Sequence, residues 1–475
     1  MNHFVEYCLE NLSLNQQEIS LSQNGYDPNE LQALGLQPLC VKPTNGWSRF
    51  CRNRILSRFG NIADGQILLN DVEGSYSLGQ PSNLAPQVRL SVADPAMYPR
   101  TLLGGTIGAA ESYMDGQWRT NNLTDLIRIL IRNMSQINSL DRTWSRIRNT
   151  WNWLQHQLRR NTIDGSKKNI HEHYDLGNDF YRTFLDQSMN YSCGIFPMQD
   201  SSMLESSLFK MNWICQKLQL SPSDHVLEIG TGWGGLSLFM AEKFGCRVTT
   251  TTISKEQRDF AIQRIEEAGM SDRVKVLLED YRSLGGKYDK LVSIEMIEAV
   301  GHQYFDQYFS KCNELLADDG MLLLQGITMN ERNYRQHIRK TDFIRRYIFP
   351  GGCLPSLVAI GQSVAKSTDM RMVHLEDITQ HYVRTLQQWR CEFFDRIDEI
   401  KTLGYENRFI RMWHFYLCYC EAAFAEKRVN TVQMVLAKPG CDVDPANEYS
   451  SAIQHSTSQK SEDLGAEKLL QRSES

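Results

Sequence analysis

Long hydrophobic runs, cysteine motifs and an excess of positive charge are all missing from this chain. No apolar stretch approaches the ~20 residues that a membrane-spanning helix needs, so we expect any membrane contact to be peripheral. The twelve cysteines form no CxxC pair and no Cys/His zinc spacing, and no signal peptide is recognisable. These absences predict a cytoplasmic protein with reduced thiols. A net charge of -5 argues against a nucleic-acid partner.

The nearest approach to a metal motif is HEHYD, in which His171 and His173 are two residues apart. That spacing does not place both imidazoles on one helix face, and no third ligand is evident. We therefore predict no metal site.

Composition divides the 475 residues into four zones. Residues 1–45 are polar and residues 441–475 are acidic and rich in Ser, so both are expected to be poorly ordered tails. Residues 46–165 are predicted to form a smaller N-terminal α+β module that associates with lipid or membrane. Residues 166–440 are expected to form the catalytic domain.

The segment HVLEIGTGWGGL (His225–Leu236) is an apolar strand that runs through an acid and a glycine-rich turn into a helix. Gly230 and Gly232 let the backbone adopt positive φ and pass close to a ligand, and Glu228 offers a carboxylate at the strand end. The glycines do not follow the GxGxxG spacing of dinucleotide sites. The arrangement favours a nucleoside cofactor with an amino-acid tail.

Apolar strands and helices alternate after this turn. The β-branched strand Arg247–Ile253 is followed by a helix with Ser254 as its N-cap and Gly269 as its stop. Further strands are predicted at Val274–Asp280, Tyr288–Met296 and Met321–Thr328. Repeated βα units predict a doubly wound α/β sheet of mostly parallel strands, with ligands beyond the strands' carboxyl ends.

Seven motifs resemble those of one enzyme family. In order they are YDLGNDFY (Tyr174–Tyr181), MNYSCGIF (Met189–Phe196), TTISKEQ (Thr251–Gln257), SIEMIEAVGHQYF (Ser293–Phe305), YIFPGGCLPS (Tyr347–Ser356), HYVRTLQQW (His381–Trp389) and YLCYCEAAF (Tyr416–Phe424). Together they resemble the cyclopropane-fatty-acid synthases, a family of S-adenosylmethionine-dependent methyltransferases that includes the mycolic acid cyclopropane synthases. The resemblance covers residues 166–440 and implies a class I, Rossmann-like methyltransferase domain. GGTIGAAESYMDGQW (Gly104–Trp118) resembles the N-terminal domain of the longer bacterial synthases.

The resemblance implies methyl transfer to the double bond of an unsaturated phospholipid acyl chain, followed by ring closure when a base removes a proton from the new methyl. In the family a bicarbonate ion is the expected base. Its cage here would be the backbone of Cys193, the carboxylate of Glu298, the backbone of Ile327 and the hydroxyl of Tyr382. At the fifth position, where many synthases have His, this chain has Gln325, which can donate a hydrogen bond but carries no charge. That departure predicts weaker or differently oriented bicarbonate binding.

Taken alone, these residues have ordinary explanations. Glu298 would more often be a solvated helix carboxylate, Cys193 a small buried residue and Tyr382 a packing residue. Their positions within the matched motifs favour site roles. Ala299, which replaces a His common after the catalytic Glu, is a second departure.

The cofactor contacts are also implied by the resemblance. They are Tyr191 and Ser192 near the methionine end, Glu228, Gly230 and Gly232 at the glycine turn, Thr252 and Gln257 at the ribose, and Asp280 and Tyr281 beside the adenine.

A basic, amphipathic stripe precedes the catalytic domain. Its apolar residues, at helical spacing among arginines, are Trp144, Ile147, Trp151, Leu154 and Leu158. Such a helix docks on anionic headgroups or packs between domains, and both readings stay open. The basic and aromatic segment Arg332–Phe349 is expected to cover the acyl pocket.

The sequence thus predicts an enzyme that forms cyclopropane fatty acids on phospholipids at an anionic membrane surface. The alternatives are a methyl-branching or methylene-forming fatty-acid methyltransferase, a small-amine N-methyltransferase and a non-catalytic cofactor-binding lipid protein. Acyl position, headgroup preference and oligomeric state, a homodimer included, are not determined by the sequence.

Overall fold

The computed structural model describes residues 42–81, 86–138 and 176–442. Its contacts divide the chain into two compact units. The first unit contains the residues before Asn190 together with Arg332–Cys353 and Thr379–Asn430, and the second unit contains the remainder. The predicted linear domain boundaries stay a prediction. His171, His173 and the stripe from Trp144 to Leu158 lie outside the described residues.

The first unit contains a small mixed sheet and several helices. Its strands are β1 (Gly65–Asp71), β2 (Gly74–Gln80), β3 (Gln87–Val92) and β4 (Trp118–Thr120), in the order β2-β1-β3-β4. Strand β1 is antiparallel to β2 and parallel to β3. The longer helices are α1 (Gly46–Phe59), Met97–Met114, Leu123–Arg132, Thr379–Asp395 and Asn407–Ala425.

The second unit is built on a seven-stranded sheet. Its strands are β5 (His225–Ile229), β6 (Arg247–Thr252), β7 (Val274–Leu278), β8 (Tyr288–Ile294), β9 (Leu316–Met329), β10 (Arg371–Asp377) and β11 (Val429–Ala437), in the order β10-β11-β9-β8-β5-β6-β7. Strands β5 to β9 pair in parallel, and β10 pairs with β11 antiparallel. The helices between them are Met203–Leu218, Gly235–Phe244, Lys255–Glu267, Phe305–Leu315 and Leu357–Ser367. The predicted doubly wound α/β class is confirmed.

Both faces of this sheet are buried, as βα crossovers require. Leu227 and Leu291 pack into one apolar cluster, whereas their neighbours Val226 and Val292 pack into a second cluster. Because side chains alternate along a strand, the two clusters lie on opposite faces of the sheet. Packing on both faces fixes the positions of the central strands, and it thereby also fixes the residues that follow their carboxyl ends.

The predicted caps are confirmed, but β6, β7 and β8 each end one or two residues earlier than predicted. Ser254 Oγ accepts a 3.2 Å hydrogen bond from the amide of Gln257, and Gly269 has φ of +68°. Strand β7 ends before Asp280 because that carboxylate caps a following 3₁₀ turn. Strand β8 ends at Ile294 because Glu295 takes a left-handed conformation, with φ of +50°.

The lengths of the helices and the grouping of possible metal ligands bear on membrane and metal binding. Within the described ranges, no helix is long and apolar enough to cross a membrane. The same ranges contain no group of three or more His, Cys, Asp or Glu side chains placed to hold a metal ion.

Candidate active site

The glycine turn after β5 borders open space. Gly230 and Gly232 have φ of +103° and +52°, and a Cβ added at Gly232 would meet no atom within 4 Å. At Gly234, by contrast, an added Cβ would lie 3.0 Å from the Cβ of Ala261. Gly234 therefore serves close packing, and the backbone at Gly232 is left accessible to a ligand.

Glu228 is a buried carboxyl group directly before this turn. Its Oε2 accepts a 2.6 Å hydrogen bond from the Thr250 hydroxyl on the neighbouring strand β6. Burial raises the pKa of Glu228 to about 8, so that the group is largely neutral at pH 7. A cationic amino group beside it would favour the ionised form, which suits a cofactor that carries an amino-acid tail.

The residues predicted to contact ribose and adenine follow the ends of β6 and β7. Thr252 Oγ1 donates a 2.9 Å hydrogen bond to Gln257 Oε1, which fixes the orientation of that buried amide. Asp280 accepts two side-chain hydrogen bonds from Arg282, at 2.8 and 2.6 Å. Tyr281 packs edge-on against Tyr308, and burial raises the pKa of Tyr281. The Asp280 carboxylate is therefore paired within the chain.

The predicted loop residues meet a carboxylate that sequence reasoning missed. Glu295, directly after β8, accepts hydrogen bonds at Oε1 from the Ser192 hydroxyl at 2.8 Å and from the Cys193 amide at 3.1 Å. Gln325 Nε2 donates to the same oxygen at 2.7 Å and to Ser192 Oγ at 3.0 Å. Tyr191, half-buried, comes directly before this pair of loop residues. Glu295 thus gathers three of the residues that were predicted separately.

Glu298 lies one turn further along, in the 3₁₀ segment Ile297–Ala299. Its Oε1 accepts a hydrogen bond from the Ile327 amide, and its buried Oε2 has no partner among the described residues. Two residues of the predicted cage thus lie together, and the bicarbonate cage itself stays a prediction. Gly326 makes this approach feasible, since a Cβ there would lie 2.9 Å from Ile297. Burial, and then the charge of Glu295, raise the pKa of Glu298 to about 8.

A chain of buried amides holds Gln325 in place. Gln325 Oε1 accepts a 2.8 Å hydrogen bond from Gln433 Nε2, and Gln433 Oε1 accepts one of 2.6 Å from Lys217 Nζ. Lys217 is fully buried and also pairs with Glu376. All of these residues belong to the second unit.

Tyr382 belongs to the first unit. It lies on the helix Thr379–Asp395, where its buried ring stacks on Phe424 with centroids 4.4 Å apart and meets Trp389 edge-on. These contacts account for its burial. That the Tyr382 hydroxyl takes part in an anion site stays a prediction.

Two signals in the sequence could have indicated Glu295. It stands three residues before Glu298 at the end of an apolar strand, where functional residues were expected. It also directly follows the last residue of β8, much as Glu228 stands at the carboxyl end of β5. Lys217 and Gln433 gave no comparable signal, because Lys217 stands between polar and apolar residues of a helix and Gln433 lies in an otherwise apolar strand.

Comparison with known proteins identifies the family. A family profile described as mycolic acid cyclopropane synthetase matches residues 162–434, more than half of the chain. The chain belongs to this family. The resemblance inferred from the motifs is confirmed, and the protein is an S-adenosylmethionine-dependent methyltransferase.

Two relatives of this family member cover most of it. The tuberculostearic acid methyltransferase of Mycobacterium tuberculosis is 34% identical over 82% of this chain and 91% of its own length. The cyclopropane-fatty-acyl-phospholipid synthase of Escherichia coli K12 is also 34% identical, over 83% of this chain and 94% of its own.

Solved structures agree with the family. The cyclopropane synthase MmaA2 of Mycobacterium tuberculosis and the mycolic acid cyclopropane synthase CmaA1 complexed with SAH and CTAB each match with a TM-score of 0.54 and 28% identity. Each match covers 57% of this chain and 98% of the solved one. Coclaurine N-methyltransferase has the same TM-score at 19% identity, which indicates a shared fold alone.

Proposed function

We propose that this cyclopropane synthetase family member transfers a methyl group from S-adenosylmethionine to the double bond of unsaturated phospholipid acyl chains, and that the main product is a cyclopropane. The half-buried carboxyl pair Glu295 and Glu298, which follows the carboxyl end of β8, carries the proposal. It supplies negative charge beside the place where a ligand would react. The relative from Escherichia coli, named for this reaction, supports the substrate class.

The chemistry requires a site from which water is excluded. The cofactor supplies an electrophilic methyl group, and methylation of an alkene leaves a carbocation that water would trap. Cys193 and Gln325 are fully buried and Ser192 is almost so. These residues can hold hydrogen-bonded polar groups in place while the acyl chain covers them.

Two groups are candidates for the base that removes the proton: a bicarbonate ion and the carboxylate of Glu295. Bicarbonate, the base that the resemblance implies, would need the donors on Cys193 and Gln325, and these donors face Glu295 Oε1. Bicarbonate therefore acts here only if it displaces that carboxylate. Removal of bicarbonate from the assay tests this directly.

Methyl-branched or methylene products are the second candidate outcome. The presence of Gln325 where many synthases have His supports this candidate, because a changed geometry of proton removal alters which proton is lost. The relative named tuberculostearic acid methyltransferase matches this chain as closely as the synthase does. A small-amine substrate has no comparable support.

Contact with an anionic membrane surface is proposed for helix α1. It carries no acidic residue and four arginines, of which Arg52 is buried in an ion pair with Asp71 and Arg49 pairs with Glu73. Its Trp47 and Phe50 are 53% and 48% exposed. Their rings stack 5.6 Å apart, and the Arg54 guanidinium lies over Phe50. Aromatic and cationic side chains side by side suit the headgroup region of an anionic bilayer.

The test is incubation with methyl-labelled cofactor and vesicles of an oleoyl phospholipid, followed by mass spectrometry and NMR of the acyl chains. We expect a gain of CH₂ and cyclopropane proton signals. Vinylidene or methyl-branch signals instead would establish the second candidate. Unlabelled acyl chains across several headgroups would refute the proposal.

A further inference from the structure

We propose that the carboxylate of Glu295 is the proton acceptor of this enzyme, and that it occupies the anion position otherwise assigned to bicarbonate. The inference rests on the proposed function and deepens it, since it names the group that completes the reaction.

The hydrogen bonds to Glu295 define a built anion site. One oxygen, Oε1, accepts from a hydroxyl, a backbone amide and a side-chain amide, at 2.8, 3.1 and 2.7 Å. Such donors stabilise negative charge on that oxygen. In this chain they are directed at a carboxylate that the protein itself provides, with no free ion required.

The orientation of the Gln325 amide is set by the charged amine of Lys217, to which Gln325 is linked through Gln433. Lys217 can only donate, so the group of Gln433 that faces it must be the acceptor Oε1. Gln433 must then turn its NH₂ toward Gln325, and the Gln325 oxygen accepts from it. The Gln325 NH₂ is left to face Ser192 and Glu295. Lys217 and Gln433 are thus positioning residues for the anion site.

The backbone supports the same conclusion. Glu295 has φ of +50°, a backbone conformation that residues other than glycine rarely adopt. Its amide donates a 2.8 Å hydrogen bond to the Gln325 carbonyl. Strained residues of this kind concentrate at functional sites. Without the turn at Glu295, strand β8 would continue. The Glu295 carboxylate would then not be directed at the loop that contains Ser192 and Cys193.

The proposed step balances as follows. A bond forms between the methyl carbon and one alkene carbon while the bond from methyl carbon to sulfur breaks, which leaves a cation on the second alkene carbon. Glu295 removes a proton from the new methyl, and the electrons of that C–H bond form the bond that closes the ring. The products are the cyclopropane, S-adenosylhomocysteine and one proton, first held by Glu295 and then released. A proton beside a carbocation is acidic enough for a carboxylate to remove.

The experiment compares wild type, Glu295→Gln, Glu295→Gly and the exposed-site control Glu266→Gln, in buffer free of bicarbonate and with bicarbonate or formate added. We expect wild type and the control to turn over without bicarbonate. Glu295→Gln should lose ~100-fold or more, as expected for loss of a proton acceptor. Glu295→Gly should be inactive alone and regain activity with either added anion, because the vacated donors can then donate their hydrogen bonds to it.

Binding of ¹³C-bicarbonate, measured by NMR, gives a readout that does not depend on turnover. Glu295→Gly should bind the ion and wild type should not. A wild type that binds bicarbonate and needs it, with an active Glu295→Gln, would overturn the inference while leaving the proposed function intact. A wild type inactive on every unsaturated phospholipid under all buffers would instead overturn the proposed function.

Discussion

The hydroxyl of Thr250 donates a 2.6 Å hydrogen bond to Oε2 of Glu228 across neighbouring parallel strands. This bond does not offset burial, which raises the pKa of Glu228 to about 8. Because Glu228 is largely neutral at pH 7 and lies just before the glycine turn, it holds a proton whose release on cofactor binding can be measured.

Cofactor binding should therefore release a proton. If the cationic amino group of S-adenosylhomocysteine lies beside Glu228, binding ionises a carboxyl that held its proton at pH 7, and affinity should rise with pH up to about 8. Calorimetry at pH 7 in buffers of different ionisation enthalpy should count roughly one proton released per ligand. Glu228→Gln should bind more weakly and release none, and an unchanged proton count in that variant would disprove the assignment.

Gly232→Val should abolish cofactor binding while the protein stays folded. The new side chain would project into open space that the methionine end of the cofactor is proposed to fill. Gly269→Val is the matched control, because Gly269 also has positive φ and open surroundings but follows the surface helix Lys255–Glu267. Both variants should lose about 1–2 kcal/mol of stability from the backbone conformation, measured by denaturant unfolding. Equal S-adenosylhomocysteine affinity in the two would place the pocket elsewhere.

Turnover at saturating cofactor should increase as pH rises through about 8. The pKa of Glu298 lies there because of burial and the charge of Glu295, and its ionised form would stabilise positive charge on the acyl chain. Glu298→Gln should lack this rise and fall ~100-fold or more below the wild-type maximum, with cofactor affinity unchanged. The measurement is kcat across pH 6.5–9, and a rise retained in the variant would assign the titration to another group.

Gln433→Glu should disturb the anion site from a distance. A carboxylate cannot donate to Gln325 Oε1, so the amide of Gln325 would lose its orienting partner and would no longer hold its NH₂ toward Glu295. We expect kcat to fall about tenfold, the effect of one hydrogen bond, with unchanged cofactor affinity. A change in the ratio of ring to branched product would distinguish positioning from simple loss of stability. Wild-type kcat and product ratio would show that the amide chain is only structural.

Replacing Trp47 and Phe50 together by alanine should weaken sedimentation with anionic vesicles about tenfold or more, because two aromatic anchors are lost beside the arginines of α1. Met198→Ala is the control, since Met198 is 57% exposed in the second unit. Turnover on detergent-dispersed substrate should be the same in all three proteins. Equal vesicle binding by the double variant would exclude α1 as the docking surface.

Local patterns in the sequence determined the βα order, the glycine turn and the helix caps. These features depend on the alternation of apolar residues and on the conformational freedom of glycine, and both are properties of short segments. The same reasoning located Glu228, at the end of a predicted strand before the glycine turn, whereas Gln257 and Glu298 were implied by the resemblance to the family. It also identified the motifs from which the family was inferred.

Only the tertiary structure decided which group Gln325 faces. From the sequence, Gln325 was expected to face an external anion. Folding brings the ends of β8 and β9 beside the loop at Ser192, and the positive φ of Glu295 turns its carboxylate toward Gln325. Nor could the sequence join Lys217 to Gln433, which are 216 residues apart and meet only when the helix Met203–Leu218 packs near β11. Segment-level propensities do not encode such contacts, because hydrogen bonds between distant residues form only after the sheet has set their register.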